Sequence, residues 1–384
     1  MHRILPSALA APLLLAAFVL GPSLPLSADD APPAPIKVDE GEISGATFAI
    51  ANPSTPWNHN LLLIAHGYRP DSAPLIPDLH PERAANRAIL DEGWMVATTS
   101  FRRNGLIVGD AIADLDALRA FIETRYGSLD RVILEGESMG GLIVTIMAER
   151  DKGPYQGAVV FDAALYVRET DMSVGMSLLP RIPLLFVATE REVAAPKTYL
   201  TALTSRPEPV VQPEMFLIKR EGHTNINQPE HLAAFRALNA WIDRGRDALP
   251  QPAEGQRYFD ATIAPEPGPS TAVAHPDNHG FDCKVVDVDA IYGNVLLDAQ
   301  ASDFQSAGIA PMTFFELRAG GKPYRALYGR TYNDVKIGKW VLFPDADGRT
   351  VLSRNFADAA TSAGLKVGAA ISVDVLDPQG PPLP

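Results

Sequence analysis

Two hydrophobic rhythms follow one another along the chain. Between residues 43 and 243, short uninterrupted apolar runs (43–50, 61–65, 94–98, 131–134, 158–161, 184–187 and 215–218) alternate with stretches of helical period. In 110–126, for instance, Ile112, Leu115, Leu118 and Ile122 recur at helical spacing with acidic and basic residues between them. The spacing predicts further helices over 81–92, 142–147 and 229–243. Strands apolar throughout must be buried on both faces, so this half predicts an α/β fold: a mostly parallel sheet with helices on both sides. After Lys284 the rhythm shortens. Runs at 285–288, 295–297, 312–317, 324–328, 340–343, 350–352 and 370–376 are separated by turn pairs such as Gly320-Gly321 and Asp347-Gly348. With one helix expected at 355–365, they predict a small C-terminal β-barrel.

The ends and joints of the chain set the domain boundaries. A basic start, an apolar run over about 9–20 and a small residue at Ala28 are the layout of a secretory signal peptide, 1–28. A Pro/Ala tether covers 29–42 and an α/β domain 43–247. A Pro, Gly and Ser-rich linker spans 248–280, and the barrel 281–384. Export to the periplasm or the medium follows. The single cysteine, Cys283, allows no intrachain disulfide, so the fold rests on its core. A formal charge of −13 without any run of Lys or Arg excludes nucleic acid and anionic membrane surfaces as partners. Oligomeric state is left open.

Candidate chemistry centres on Gly136-Glu137-Ser138-Met139-Gly140. A strand ends just before this stretch and a helix begins just after it, the setting of a nucleophile elbow in which glycines remove the Cβ atoms that would clash. Ser138 is the expected nucleophile. The N–H of Met139 and that of Tyr68, freed to turn by Gly67 at the end of the 61–65 strand, are the expected oxyanion donors. A serine hydroxyl needs a base, and His223, presented by Gly222 between the last core strand and the last helix, is the candidate. His66, at the end of a buried strand, reads as structural. The carboxylate that orients His223 is expected to be Glu192, with Asp162 and Glu190 as alternatives, all near strand ends and all between the serine and the histidine. Tyr68, Arg102 and Arg103 are candidate substrate contacts, with pairing of the arginines to Asp110 or Asp114 as the competing reading. His275, His279 and Cys283 lack a repeated ligand spacing, so neither metal nor cofactor is expected.

With these residues in view, the region of about 43–243 resembles the α/β-hydrolase superfamily, through His66-Gly67, the 136–140 pentapeptide and Gly222-His223 in that order. Within it the likeness is to secreted serine esterases and to the catalytic domains of prolyl-oligopeptidase-like enzymes, whose Ser-x-Arg-Asn-Gly loop is similar to Ser100-Phe101-Arg102-Arg103-Asn104-Gly105. The barrel resembles the C-terminal domain of the S-adenosylmethionine hydroxide adenosyltransferase and halogenase family, through Tyr292-Gly293-Asn294, Asp347-Gly348 and Val367-Gly368. That likeness implies the fold and not nucleoside binding, since that family's catalytic N-terminal domain is absent. The resemblance implies a secreted serine hydrolase acting on carboxylic esters through an acyl-enzyme, bulky or polymeric esters included. The alternatives are a peptidase or amidase of prolyl-oligopeptidase type and a catalytically silent ligand-binding protein. The short 162–183 connection leaves no room for a large helical cap. A chain ending near Pro250 is expected to keep its turnover of a small ester.

Overall fold

The computed structural model describes residues 35–151, 153–165, 174–204, 209–255 and 257–377. The expected signal peptide and residues 29–34 of the expected tether lie outside these residues. The first sheet comprises β1 (Val38–Ile43), β2 (Ala46–Ala51), β3 (Asn60–Ala65), β4 (Met95–Thr99), β5 (Arg131–Glu137), β6 (Gly157–Phe161), β7 (Leu184–Thr189), β8 (Glu214–Ile218) and β9 (Phe259–Asp260). Its order is β1-β2-β4-β3-β5-β6-β7-β8-β9. All pairs from β4 to β9 are parallel, and the β1–β2 hairpin closes one edge antiparallel. The expected strand 43–50 is therefore the second arm of a hairpin. Its turn is made by Ser44 and Gly45, both at positive φ, and its first arm lies inside the stretch expected to be a tether.

The alternation of the strands dictates the two layers. Leu61, Leu63 and Ala65 of β3 face one way, with Leu134 and Val160, onto α2 (Val108–Tyr126) and α3 (Met139–Ala148). Leu62, Ile133, Val159 and Phe161 face the other way, onto α1 (Ala84–Asp91) and α5 (Gln228–Arg244). Because both faces are covered, no polar residue interrupts these strands until their carboxyl ends. There Glu135, Glu137 and Thr189 appear, and there the loops of such sheets meet ligands. Another helix, α4 (Ala194–Leu203), follows β7.

The C-terminal strands are β10 (Val273–Ala274), β11 (Gly280–Val288), β12 (Val295–Leu297), β13 (Thr313–Ala319), β14 (Lys322–Tyr328), β15 (Trp340–Pro344), β16 (Thr350–Arg354) and β17 (Ala370–Val375). The order β11-β12-β16-β15-β14-β13-β17 closes through a β11–β17 pairing into a seven-stranded barrel, with β10 added outside on β11. Closure removes the free edges that short strands would otherwise expose. Phe281, Phe304, Phe315 and Tyr328 fill the interior, the rings of Phe304 and Tyr328 stacked at 4.2 Å. Phe304 comes from a helix with no counterpart in the sequence reading, α6 (Ala301–Ser306). The expected helix 355–365 is shorter, α7 (Ala359–Ala363), because Asp358 caps it at one end and Gly364 ends it at positive φ.

The Pro-rich connection is stitched at both ends. Its residues Phe259 and Asp260 form β9 in the hydrolase-side sheet, and Val273 and Ala274 form β10 on the barrel. Glu230 anchors the first of these. Its carboxylate, in a residue only 2% exposed, accepts from Arg220 at 2.8 and 3.0 Å, from the Asn227 N–H at 2.8 Å and from the Ile263 N–H at 2.8 Å. One acid thus joins β8, the cap of α5 and the connecting strand. Replacing it by Ala leaves Arg220 and two amides without their acceptor. The expected cost is about 3–5 kcal/mol, read as a lower denaturant midpoint in equilibrium unfolding. An unchanged midpoint would show that this junction carries no load.

Candidate active site

Ser138 stands at a sharp strand-to-helix turn. It links β5 to α3 with φ 53° and ψ −118°, a conformation that costs a non-glycine residue roughly 1–3 kcal/mol. The surroundings leave no other path. A Cβ on Gly136 would lie 2.3 Å from the Gly140 carbonyl oxygen, and one on Gly140 2.0 Å from that of Ala65. The backbone polar groups of the turn are nonetheless satisfied: Ser138 N–H donates to Phe161 at 3.0 Å, and its carbonyl accepts from Leu142 and Ala164. α3 points its N-terminus at the serine, so Met139 N–H is among the first-turn donors that have no acceptor within the helix. Across the cleft a Cβ on Gly67 would come 3.4 Å from the Ser138 Cβ, which puts the His66-Gly67-Tyr68 turn directly beside the elbow.

His223 reaches this serine from the loop after β8. Its Nε2 lies 2.8 Å from Ser138 Oγ, and its Nδ1 lies 3.3 Å from Glu192 Oε1. Glu192 sits in the turn between β7 and α4, with a largely buried side chain. Burial works against a charge on the imidazole. The Glu192 hydrogen bond and charge, with the charges of Asp162 and Glu137 farther out, outweigh it and raise His223 above its ordinary pKa.

The other two acids part company here. Glu190 is exposed, and its backbone N–H donates to Arg220. Asp162 is fully buried, and its carboxylate takes the Thr189 N–H at 2.7 Å, the Thr189 hydroxyl at 3.1 Å and the Thr224 N–H at 2.8 Å. The Thr189 hydroxyl also lies 2.9 Å from the carbonyl of Gly222. Asp162 therefore holds the backbone on both sides of His223, while Glu192 holds its ring. Burial pushes Asp162 well above the usual carboxylate range, against the three donors and the His223 charge that favour ionisation.

The remaining candidates are spread more widely. Tyr68 is exposed at the cleft, and its carbonyl accepts from the hydroxyl of Tyr292, a barrel residue. Arg102 and Arg103 are engaged elsewhere. The Arg102 side chain donates to Asp114 at 2.9 and 2.5 Å, and Arg103 to Asp110 at 2.7 Å, the pairing that the competing reading expected. His66 is wedged between the carbonyls of Gly67 and Ser100 at 2.7 and 3.1 Å, and burial lowers its pKa to about 4, which leaves it neutral. His275 bonds Asp374 and Asp282, whereas Cys283 faces the barrel core. Thr189, Thr224, Arg69 and Tyr292 were not singled out as site residues. Arg69, 2% exposed, donates to the Ile76 carbonyl at 2.7 Å and folds the 69–80 loop beside the cleft. The family motif containing Tyr292 was legible, but its reach to Tyr68 depends on how the barrel docks.

This arrangement defines an α/β-hydrolase fold carrying a nucleophile elbow, followed by a closed β-barrel. Residues 107–215 match the family model described as serine aminopeptidase, S33, and residues 283–372 match that of the SAM hydroxide adenosyltransferase C-terminal domain. The chain thus carries, one after the other, a segment similar to each of these two families. No curated protein matches it significantly. Among solved structures, an uncharacterized conserved protein from Thermotoga maritima is 23% identical over 38% of this chain, with a TM-score of 0.26. The chain spans about half of that protein (49%). A putative dienelactone hydrolase from Klebsiella pneumoniae is 14% identical over 55% of this chain and 100% of its own, with a TM-score of 0.41. The Francisella virulence factor BioJ is 14% identical over 57% and 87%, with a TM-score of 0.40. Scores this low add nothing to what the family models say.

The division of labour between the acids is testable through stability alone. Asp162→Ala strands the N–H groups of Thr189 and Thr224, while the Thr189 hydroxyl keeps the Gly222 carbonyl, with an expected loss of about 2–4 kcal/mol in denaturant unfolding. Glu192→Ala, which removes one contact to a ring at the cleft, is expected to stay within about 1 kcal/mol of the wild type. The reverse order would exchange their roles.

Proposed function

We propose that the protein is an exported serine hydrolase that cleaves carboxylic esters through an acyl-enzyme. The observation that carries this reading is the 2.8 Å approach of His223 Nε2 to the hydroxyl of Ser138 on a strained elbow, with Glu192 on the far side of the ring. In the first half-reaction Ser138 Oγ attacks the ester carbonyl as His223 takes its proton. The tetrahedral oxyanion lies between the N–H groups of Met139 and Tyr68, and the alkoxide leaves with the proton from His223. Water then repeats the sequence on the acyl-enzyme and releases the acid. Glu192 keeps the Nδ1–H tautomer in place and stabilises the imidazolium. Esters make the least demand on this machinery, because an alkoxide leaves more readily than an amine. Export is inferred from the pattern of residues 1–28. Among the described residues no helix is long and apolar enough to cross a membrane.

A second reading has its own support. The matching family model is described as a serine aminopeptidase, and Glu137 stands exposed next to the nucleophile. Glu137 lines a cavity of about 110 Å³ in which Asp78 and Glu135 are already paired with His80 and His231, so Glu137 is the acid left to meet a substrate ammonium group. Turnover of p-nitrophenyl esters beside aminoacyl-anilides separates the two. Faster turnover of the anilides, by kcat/KM, would replace esterase by peptidase.

Two outcomes are expected of the catalytic groups. A fluorophosphonate probe labels the wild type and misses Ser138→Ala, and equal labelling of both would remove Ser138 from its role. The base works only when neutral, so kcat/KM rises with pH through a midpoint above the ordinary histidine value of about 6.5. Glu192→Gln withdraws the charge that raises this pKa. Its ascending limb is expected to shift to lower pH while kcat falls on the order of a hundredfold or more. A Gln variant whose limb stays in place would show that Glu192 does not face the base.

A further inference from the structure

The barrel touches the hydrolase-side domain where the candidate chemistry lies. Three barrel loops each bond a different segment bordering Ser138 and His223. After β11, the hydroxyl of Tyr292 donates to the carbonyl of Tyr68, the residue that follows the Gly67 turn. After β14, Arg330 pairs at 2.8 Å with Glu221, two residues before His223. Between β15 and β16, Asp347 Oδ1 accepts the N–H of Gln228 at 2.9 Å and so caps the first turn of α5, just beyond the histidine loop. A tethered, independent module would have no reason to place all three of these bonds around one site.

We propose that the barrel is a working part of the active site and that Tyr292 is a positioning residue for the oxyanion turn. The proposal rests on the reading of Ser138 as nucleophile. The physical argument lies in the peptide groups. Tyr68 is exposed; the peptide group that carries its N–H is held from within its own domain by His66, whose Nδ1 lies 2.7 Å from the Gly67 carbonyl, and the next peptide group, beyond the Tyr68 Cα, is held from the barrel. The Tyr68 N–H is useful only if aimed at the developing oxyanion, and such aim is effective when set before the reaction rather than during it. The Tyr292 hydroxyl holds the carbonyl on the other side of the Tyr68 Cα and so restricts the rotation that would turn the N–H away. Arg330 and Asp347 do the corresponding work for the loop that presents His223, by fixing its start and the helix after its end. On this proposal the barrel supplies groups that the site needs, and the expectation that a chain ending near Pro250 keeps small-ester turnover is reversed.

The test uses the full chain with Tyr292→Phe, which keeps the ring and removes the hydroxyl, and Arg330→Met, which breaks the Glu221 pair from a separate loop. Both are assayed with p-nitrophenyl acetate and with a fluorophosphonate, whose phosphoryl oxygen enters the same oxyanion site. Complete loss of one oxyanion donor costs about a hundredfold or more in kcat, so loosening one is expected to cost on the order of tenfold. For Tyr292→Phe, kcat and the labelling rate should both fall by about that factor with KM within twofold. A merely structural contact would leave that split unmoved. Arg330→Met should lower kcat in the same direction and, by disturbing the base, move the ascending limb of the pH profile. Wild-type kcat and labelling rate in both variants would overturn the proposal while leaving the serine reading intact. A wild type that neither labels nor turns over the ester would overturn both.

Discussion

The close approach of α3 to the end of β3 is the constraint on which the site depends. The helix can begin immediately after β5 only if its first turn presses against the carbonyls of Ala65 and His66, and a bare Cα at Gly140 is what fits there. That contact fixes two things together. It holds Ser138 in a backbone conformation that projects its hydroxyl from the sheet, and it brings the Gly67 turn alongside. The Ser138 hydroxyl and the Gly67 turn are therefore placed by one backbone-to-backbone contact rather than by side chains. The strain at Ser138 is tolerated because the central strands beneath it, β3, β5 and β6, are buried on both sides and the sheet there cannot yield.

Much of this was legible in the residues. Strands apolar on both faces, such as Leu61 to Ala65, can only be central and parallel. The Gly-rich pentapeptide takes its meaning from the apolar strand before it and the helix after it, both readable in the residues. What the sequence could not resolve was of two kinds. Short segments whose pairing is set from outside, such as Phe259-Asp260 in a Pro-rich stretch or Phe304 on a six-residue helix, carry no period long enough to detect. Residues whose meaning depends on three-dimensional approach were also ambiguous. Asp162 and Glu192 both follow strands and both lie between serine and histidine in the chain. Only the fold shows one beneath the loop's backbone and the other against its ring.

The histidine loop illustrates how a mobile-looking segment is held without a regular element. Gly222 and Thr224 both sit at positive φ, on either side of His223. Left to itself such a loop would sample many conformations. Asp162 and Thr189 instead fix it from below by hydrogen bonds, and the barrel's Arg330 adds an exposed ion pair at its start, so the ordering cost is met chiefly from beneath the loop.

Cys283 lends itself to a different kind of observation. It is the single thiol of the chain, 4% exposed, and it lies on β11 opposite Ile371 of β17, at the seam where the barrel closes on itself. Burial pushes its pKa up, so the closed form holds a protonated, unreactive sulfur. A thiol reagent can reach it only when that seam parts. The rate at which one sulfur disappears is thus a clock for the breathing of a single strand pair, readable in the native protein without denaturant or label.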